Sequence, residues 1–330
     1  MEHSPGSVVL VDDFVPVIDM SAKDSAGGRA ALAKAIGRSC ETSGFFTIVG
    51  HGVSKDLVDR MHATTDAFFT QPDAEKQKVA NVAGVSGFRR FGEVGEDGKP
   101  APGLYEAFAA HVTGDRSDEE RAKLGAYPAP WKIANVWPDT PAEFTRTWHE
   151  YIAAMTDLSC DIMRLFALAL DADEKYFDTK FDEHVSLVLA NYYYPQVEAP
   201  RPGQLRRGSH TDWGSLTVLY QEDDNGGLQV LQGDEETGAW RDVPAIPGSF
   251  VVNIGDMMAF WTGGRWKSTV HRVENPASGN TTSRISIPFF YMPNHDAPIE
   301  PILTDATQFE QTTAGEWLAN KMRIKVAKTD

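Results

Sequence analysis

His210-Thr211-Asp212-Trp213-Gly214-Ser215-Leu216-Thr217-Val218-Leu219-Tyr220 joins a His-x-Asp pair, a candidate for metal ligation though also common on surfaces, to a clear strand signal. Its second half is β-branched and aliphatic, the composition that strands favour. Read as one strand, residues i and i+2 share a face, so the His210 imidazole and the Asp212 carboxylate converge while Thr211 faces away. Of the nine histidines, only His210 is followed two residues later by a carboxylate. Runs of the same character recur at 185–194, 228–231, 249–254 and 284–291, separated by Gly, Pro and Asp. Many short strands so spaced predict a sandwich, jelly roll or barrel.

Upstream the pattern is helical. Val15–Asp19 reads as extended, 28–43 as a helix stopped by Gly44, and Phe45–Val49 as a strand. Residues 54–72 read as a helix with Ser54 as N-cap, and the Gly- and Pro-rich span 81–140 as loops and short strands that wall a pocket. In 142–170, Trp148, Tyr151, Met155, Leu158, Ile162, Leu165 and Ala169 recur every three or four residues, an apolar stripe for packing on a sheet. A last helix is expected near 314–325, folding back over the β core.

The chain has 330 residues, 42% hydrophobic and 24% charged, so it can bury a sizeable core. Its formal net charge of −16 sets it against phosphate backbones and anionic lipid, which argues against nucleic acid or a membrane as partner. Cys40 and Cys160 are too few for a disulfide framework and read as reduced thiols in helices. The first residues lack a basic and apolar leader, and no apolar run approaches a membrane span, so a cytoplasmic protein is expected. Oligomeric state is left open.

His271 lies in a second β-rich stretch, 59 positions after Asp212. Two imidazoles and one carboxylate form a facial triad that leaves open positions on an octahedral ion, as in non-haem Fe(II) oxygenases. A zinc hydrolase could use the same ligands, and a core histidine bonded to a carbonyl is the plainer reading of His271. Thirteen residues on, Arg284-Ile285-Ser286 repeats the i, i+2 spacing, at a distance that suits a short turn and return on the adjacent strand. Arg and a hydroxyl on one face can clamp a carboxylate. Arg207-Gly208-Ser209 has the same spacing without that position.

Taken in order, these elements resemble the 2-oxoglutarate-dependent Fe(II) oxygenases of the isopenicillin N synthase-like family. The resemblance spans nearly the whole chain. It takes in Val15–Asp19, Gly44-Phe45-Phe46, His51-Gly52-Val53 and Asn135-Val136-Trp137-Pro138. It continues through Tyr194-Pro195, His210-Thr211-Asp212, Gly226–Val230, Asn253–Asp256, His271-Arg272-Val273, Arg284-Ile285-Ser286 and Phe289-Phe290. It implies an α+β fold with a double-stranded β-helix (jelly-roll) core, N-terminal helices packed against it and a C-terminal helix.

It also implies that His210, Asp212 and His271 hold Fe(II), and that Arg284, Ser286 and the Tyr194 hydroxyl bind 2-oxoglutarate. Asn191 is set aside, because relatives place Asn two residues before that Tyr and this chain has Tyr192 there. With O2, 2-oxoglutarate is decarboxylated to succinate and CO2, and a ferryl oxidant hydroxylates, desaturates or cyclises a small, hydrophobic or aromatic substrate. A carboxylate at Asp212 leaves no ligand position for halide and disfavours halogenation. The setting implied is tailoring of a secondary metabolite, as in antibiotic biosynthesis, or of a xenobiotic.

Residues 1–330 are expected to form one oxygenase unit: 1–140 helical and loop-rich, 141–300 the long helix plus jelly roll, 301–330 the tail. Phe88, Arg89, Tyr105, Phe108, Trp213, Leu228, Phe290 and Met292 are the candidates for the substrate wall. A 2-oxoglutarate-independent oxidase of the isopenicillin N synthase or aminocyclopropane-carboxylate oxidase type, or a non-catalytic jelly-roll binding protein, are the alternatives.

Overall fold

The computed structural model describes residues 8–9, 13–81, 85–91, 105–125, 127–197, 200, 205–222, 226–276, 280–302 and 312–327. In chain order the strands are β1 (Val8–Val9), β2 (Val17–Asp19), β3 (Phe45–Val49), β4 (Gly87–Phe91), β5 (Tyr105–His111) and β6 (Leu187–Tyr193). Then follow β7 (Arg207–His210), β8 (Leu216–Gln221), β9 (Leu228–Gln232), β10 (Ala239–Asp242), β11 (Phe250–Ile254), β12 (His271–Val273) and β13 (Arg284–Tyr291). A nine-stranded sheet runs β1-β2-β3-β11-β8-β13-β6-β5-β4, and a four-stranded sheet runs β10-β9-β12-β7. From β6 to β13 the chain passes back and forth between them, with β9–β10 as a hairpin in the smaller sheet. This winding is the double-stranded β-helix of an α+β protein.

The main helices are α1 (Ala26–Thr42), α2 (Lys55–Phe69), α3 (Phe144–Ala169) and α4 (Ala314–Ala327). The Ser25 hydroxyl caps α1 by accepting from the Gly28 N–H at 3.1 Å. Past its end, Gly44 takes φ +71°, and a Cβ there would sit 1.8 Å from the Lys267 carbonyl oxygen, so only glycine turns the chain into β3. The α3 stripe Trp148, Tyr151, Met155, Leu158, Ile162 and Leu165 is buried against the larger sheet, with Trp148 edge-on to Phe108 of β5. Removing such a side chain (Trp148→Ala) costs about 3–5 kcal/mol. All five residues of β11 are buried, because helices cover one side of the sheet and the smaller sheet the other. Double coverage also explains why these strands read as unbroken apolar runs.

The structure departs from two expectations. The stretch from His210 that reads as one strand is two elements: β7 ends at His210, residues 211–215 form an irregular link, and β8 begins at Leu216 on the opposite sheet. The return from His271 to Arg284 likewise crosses between sheets, since β12 pairs with β7 and β9 while β13 pairs with β6 and β8. Within 81–140, β5 is a seven-residue strand paired along its whole length with β6. Its Ala-rich sequence carries little strand propensity, and sheet pairing decides it.

Helix α4 packs back on the β core: the Trp317 indole N–H donates to the Trp213 carbonyl at 3.0 Å, and Lys321 reaches Asp256 at 2.6 Å. Residues 303–311 of the tail lie outside the described residues. Among the described residues no helix is long and apolar enough to cross a membrane.

Candidate active site

The two sheets enclose a cavity of about 550 Å3, open mouth included. Phe45, Leu189, Leu219, Leu228, Val273, Pro288 and Phe290 give it apolar walls.

His210 and His271 stand opposite each other at adjoining ends of β7 and β12, with ring centroids 4.2 Å apart. Each Nδ1 lies against a backbone carbonyl, Gly208 at 2.8 Å and Thr269 at 3.1 Å. A carbonyl can only accept, so each Nδ1 carries the proton and each Nε2 presents a lone pair. The Asp212 Oδ1 lies 4.0 Å and 3.9 Å from those two Nε2 atoms. Its Oδ2 accepts from the Thr217 hydroxyl at 2.6 Å and the Asn253 amide at 2.8 Å, which aims Oδ1 at the histidines.

Three ligand atoms thus lie within 4.8 Å of one another. Burial first, then His271 and Arg207, push the His210 imidazole down to about 3, so it is neutral. Burial would raise the Asp212 carboxyl, but His271 and His210, helped by Asn253 and Thr217, hold it below its usual value. Two imidazole nitrogens and one carboxylate fit a divalent transition-metal ion.

Asp212 reaches this point from the irregular link rather than from a strand face. The Asp256 N–H donates to the Asp212 carbonyl at 2.8 Å, and the Gly255 N–H to Ser215 at 3.0 Å. A Cβ on Gly255 would lie 2.3 Å from the Gly214 carbonyl oxygen and 2.8 Å from that of Asp212, so a larger residue would push the link away. The Asp256 carboxylate then gathers Thr211, Ser268 and Lys321 at 3.2, 2.7 and 2.6 Å, tying the link to α4.

On the facing wall Arg284 pairs across strands with Tyr193, and Ser286 with Asn191. Arg284 is 1% exposed, and its guanidinium lies 5.2 Å from the Tyr193 ring centroid. Burial pulls its pKa down while Tyr193 and Glu222 offset this. The Asn191 amide donates to the Ser286 hydroxyl at 3.3 Å, and the buried Asn191 side-chain carbonyl has no partner among the described residues. Arg206 lies 5.6 Å from the same Tyr193 ring, its buried Nε and Nη2 without a partner among the described residues, and burial beside Arg284 draws it down to about 10. Guanidinium, hydroxyl and amide donors so grouped suit a carboxylate.

Tyr194 is not in this cluster. Asn191 and Tyr193 are i and i+2 on β6 and face the cavity, which puts Tyr192 and Tyr194 on the helix side. The Tyr194 hydroxyl donates instead to buried Glu106 at 2.7 Å, where Lys76 also pairs. Strand parity was available in the sequence, but it depends on where the strand ends before Pro195.

Of the substrate-wall candidates, Leu228 and Phe290 line the cavity. Phe88 and Phe108 face the other way and pack on Phe68 at 6.1 and 5.1 Å. Arg89 turns to the Asn81 carbonyl at 3.5 Å. Trp213 and Met292 join a separate apolar cluster with Leu318 of α4. Tyr105 stands beside the cavity, its hydroxyl accepting from Arg207 at 2.9 Å. Strand residues alternate faces, so half of any aromatic run points away. Sequence reasoning weighed and set aside Asn191 and Arg207, and did not single out Tyr193, Arg206, Thr217 and Asn253 as site residues.

The profile of the 2OG-Fe(II) oxygenase superfamily matches residues 185–293, and that of the non-haem dioxygenase in morphine synthesis N-terminal region matches 15–140. Homoarginine-6-hydroxylase 2-ODD-C23.1 of Arabidopsis thaliana is 33% identical over 346 residues, covering 96% of this chain and 100% of the relative. This chain belongs to the 2-oxoglutarate–Fe(II) oxygenase superfamily. Validamycin A dioxygenase of Streptomyces hygroscopicus subsp. limoneus is 33% identical over 304 residues, 87% of this chain and 79% of that one. A full-length Neurospora crassa protein crystallised in complex with alpha-KG and thymine superposes at TM-score 0.81 and 27% identity, covering 97% of this chain and 100% of the other. The oxygenase is therefore a dioxygenase that works with Fe(II), 2-oxoglutarate and O2, rather than a passive jelly roll.

Proposed function

We propose that this enzyme hydroxylates, or by the same chemistry desaturates or cyclises, a small molecule with a hydrophobic or aromatic body. One observation carries the assignment of residues: three metal-ligand atoms within 4.8 Å share one cavity with the Arg284–Ser286 end. His210, Asp212 and His271 would hold Fe(II), and Arg284 and Ser286, with Asn191 and Tyr193, would take the distal carboxylate of 2-oxoglutarate. Bound Fe(II) supplies the oxidising chemistry, using O2 and the electrons released as 2-oxoglutarate becomes succinate and CO2. The protein's part is to orient the substrate C–H bond with Leu228, Val273 and Phe290 and to keep water from the buried ligands.

Relatives named for homoarginine and validamycin A, and a neighbour solved with thymine, support a small-molecule substrate without favouring one. Tailoring of a secondary metabolite is the setting we take from the validamycin relative. The whole chain is read as one oxygenase unit, because β2, β3, β4 and β5 extend the sheet that carries Arg284.

Succinate and labelled CO2 release from 2-oxoglutarate is the test, run with a panel of aromatic and aliphatic substrates. Turnover is expected only with Fe(II) and 2-oxoglutarate together, and His271→Ala is expected to abolish it. Full-rate substrate oxidation without 2-oxoglutarate would overturn the reading.

A further inference from the structure

Among the described lining residues, one cation of the cavity is left over after iron and 2-oxoglutarate have been placed. Arg207 opens β7, three residues before His210, and lines the cavity from the smaller sheet, on the wall facing Arg284. Among the described residues its hydrogen bonding is confined to one contact, Nη1 to the Tyr105 hydroxyl at 2.9 Å, and no carboxylate pairs with it. The Tyr105 ring is itself fixed, stacked on Phe91 at 4.8 Å and against Tyr193 at 5.5 Å. The guanidinium is thus braced from one side, while most of its five-donor fork remains available.

The charge count of the cavity points the same way. Asp212 is the sole carboxylate among the described lining residues, against the two guanidinium groups of Arg207 and Arg284. A divalent ion adds two positive charges, and the dianionic cosubstrate removes two. With Asp212 counted, one positive charge stays unmatched. Arg206 and Glu222, beside Arg284, add one charge of each sign, and Glu222 also faces the His62 imidazole at 3.0 Å. An uncompensated charge in a partly desolvated cavity is costly, and a ligand anion relieves it. Arg207 also stands close enough to the ligand cluster to act on His210 and to feel Asp212, so what it holds lies beside the metal residues.

We propose that Arg207, positioned by Tyr105, anchors a carboxylate of the primary substrate, so that the enzyme oxidises a monoanionic carboxylic acid whose apolar body lies along Leu228, Val273 and Phe290. This deepens the oxygenase reading above and rests on it. Arg284 and Arg207 then divide two anions between them, the cosubstrate deep in the cavity and the substrate on the facing wall. The same division gives selectivity: a neutral analogue of equal shape leaves the Arg207 charge unmatched, and a dianion overfills it.

The test uses the full chain loaded anaerobically with Fe(II) and 2-oxoglutarate. Calorimetric titration compares phenylacetate, 3-phenylpropionate, 4-phenylbutyrate and 5-phenylvalerate with their neutral amides. At least one acid is expected to bind about tenfold or more tightly than its amide, the scale of a charge-assisted hydrogen-bonded pair. Arg207→Gln is expected to reduce that preference below about twofold, Arg207→Lys to keep part of it, and Tyr105→Phe to fall between. Tyr105→Phe also serves if the Gln variant folds poorly. Separate titration with 2-oxoglutarate distinguishes the two readings: Arg284→Gln should lose the cosubstrate and Arg207→Gln should not.

No acid bound more tightly than its amide, or a preference that survives Arg207→Gln, would overturn the proposal. So would a loss of 2-oxoglutarate in Arg207→Gln as large as the loss of the acid, which would make Arg207 a cosubstrate residue. Failure of the unaltered protein to bind 2-oxoglutarate would instead strike the oxygenase reading beneath it.

Discussion

The two walls of the cavity hold their functional groups by different means. On the nine-stranded wall, Arg284 and Ser286 come from β13, which has a neighbour on each side, and their cross-strand partners Tyr193 and Asn191 come from β6. Ladder hydrogen bonds set the position of each side chain there. On the four-stranded wall, His210 is the last residue of edge strand β7 and His271 the first of three-residue β12, while Asp212 lies outside any strand. Strand ends and links can be aimed freely, but something else must hold them. Here the Gly208 and Thr269 carbonyls hold the imidazoles, and Thr217 and Asn253 reach across from the larger sheet to hold Asp212. The Arg284–Ser286 end is held by its sheet, and the His210–Asp212–His271 end by hydrogen bonds between the two sheets.

If the walls are separable, they should fail separately. Asp212→Ala is expected to lower Fe(II) affinity by more than about 100-fold, above the range typical of outer contacts, with 2-oxoglutarate-end geometry and far-UV circular dichroism unchanged. Arg284→Gln should do the reverse, retaining Fe(II) and losing 2-oxoglutarate. Metal and cosubstrate titrations that fell together in both variants would break the comparison.

Cross-wall support makes a smaller, sharper test. Asn253→Ala removes one of two donors to Asp212 and is expected to cost about 10–100-fold in Fe(II) affinity while touching no ligand. An unchanged affinity would show that the link alone positions Asp212. Strand parity is tested by a pair of substitutions. Tyr193→Phe should raise the KM for 2-oxoglutarate several-fold. Tyr194→Phe should leave it alone and destabilise the fold by about 1–2 kcal/mol, because Glu106 loses a donor.

Acid stability gives a further contrast, through a structural histidine of the larger sheet rather than the His210–His271 pair. His111 is fully buried, with Nε2–H donating to the Ile133 carbonyl and Nδ1 accepting from Thr113, each at 2.9 Å. Burial pushes it down to about 4, below its unfolded value. Between those values the unfolded chain binds the extra proton, so the His111 contribution is complete above about pH 6.5 and is lost as pH falls toward 4. The full span is on the order of 3 kcal/mol. Melting temperature should fall between pH 7 and pH 5, and His111→Gln should flatten that slope; an equal slope in the variant would assign it to other groups.

The helix-then-strand order was legible in residue types, and the family resemblance singled out the His210, Asp212 and His271 set and the Arg284–Ser286 pair, which the fold brings into one cavity. The helices follow from periodicity: α3 spans Phe144–Ala169 against an expected 142–170, because an apolar stripe and its ends are local properties. The facing of side chains was less legible. Phe88 and Phe108 look like a pocket wall in sequence and are core, and Tyr193 rather than Tyr194 faces the cavity, a shift of one residue. Such a shift reverses a strand side chain completely.

What the sequence determined by itself is therefore chemical inventory and element order, which depend on near neighbours along the chain. The tertiary structure decided which groups meet. It divided the His210–Tyr220 stretch between two sheets and carried Arg284 across from His271. It also set Arg207 against the cavity. Those outcomes depend on pairing register and on hydrogen bonds between residues far apart in sequence, such as Asp212 with Asn253, and no local pattern contains them.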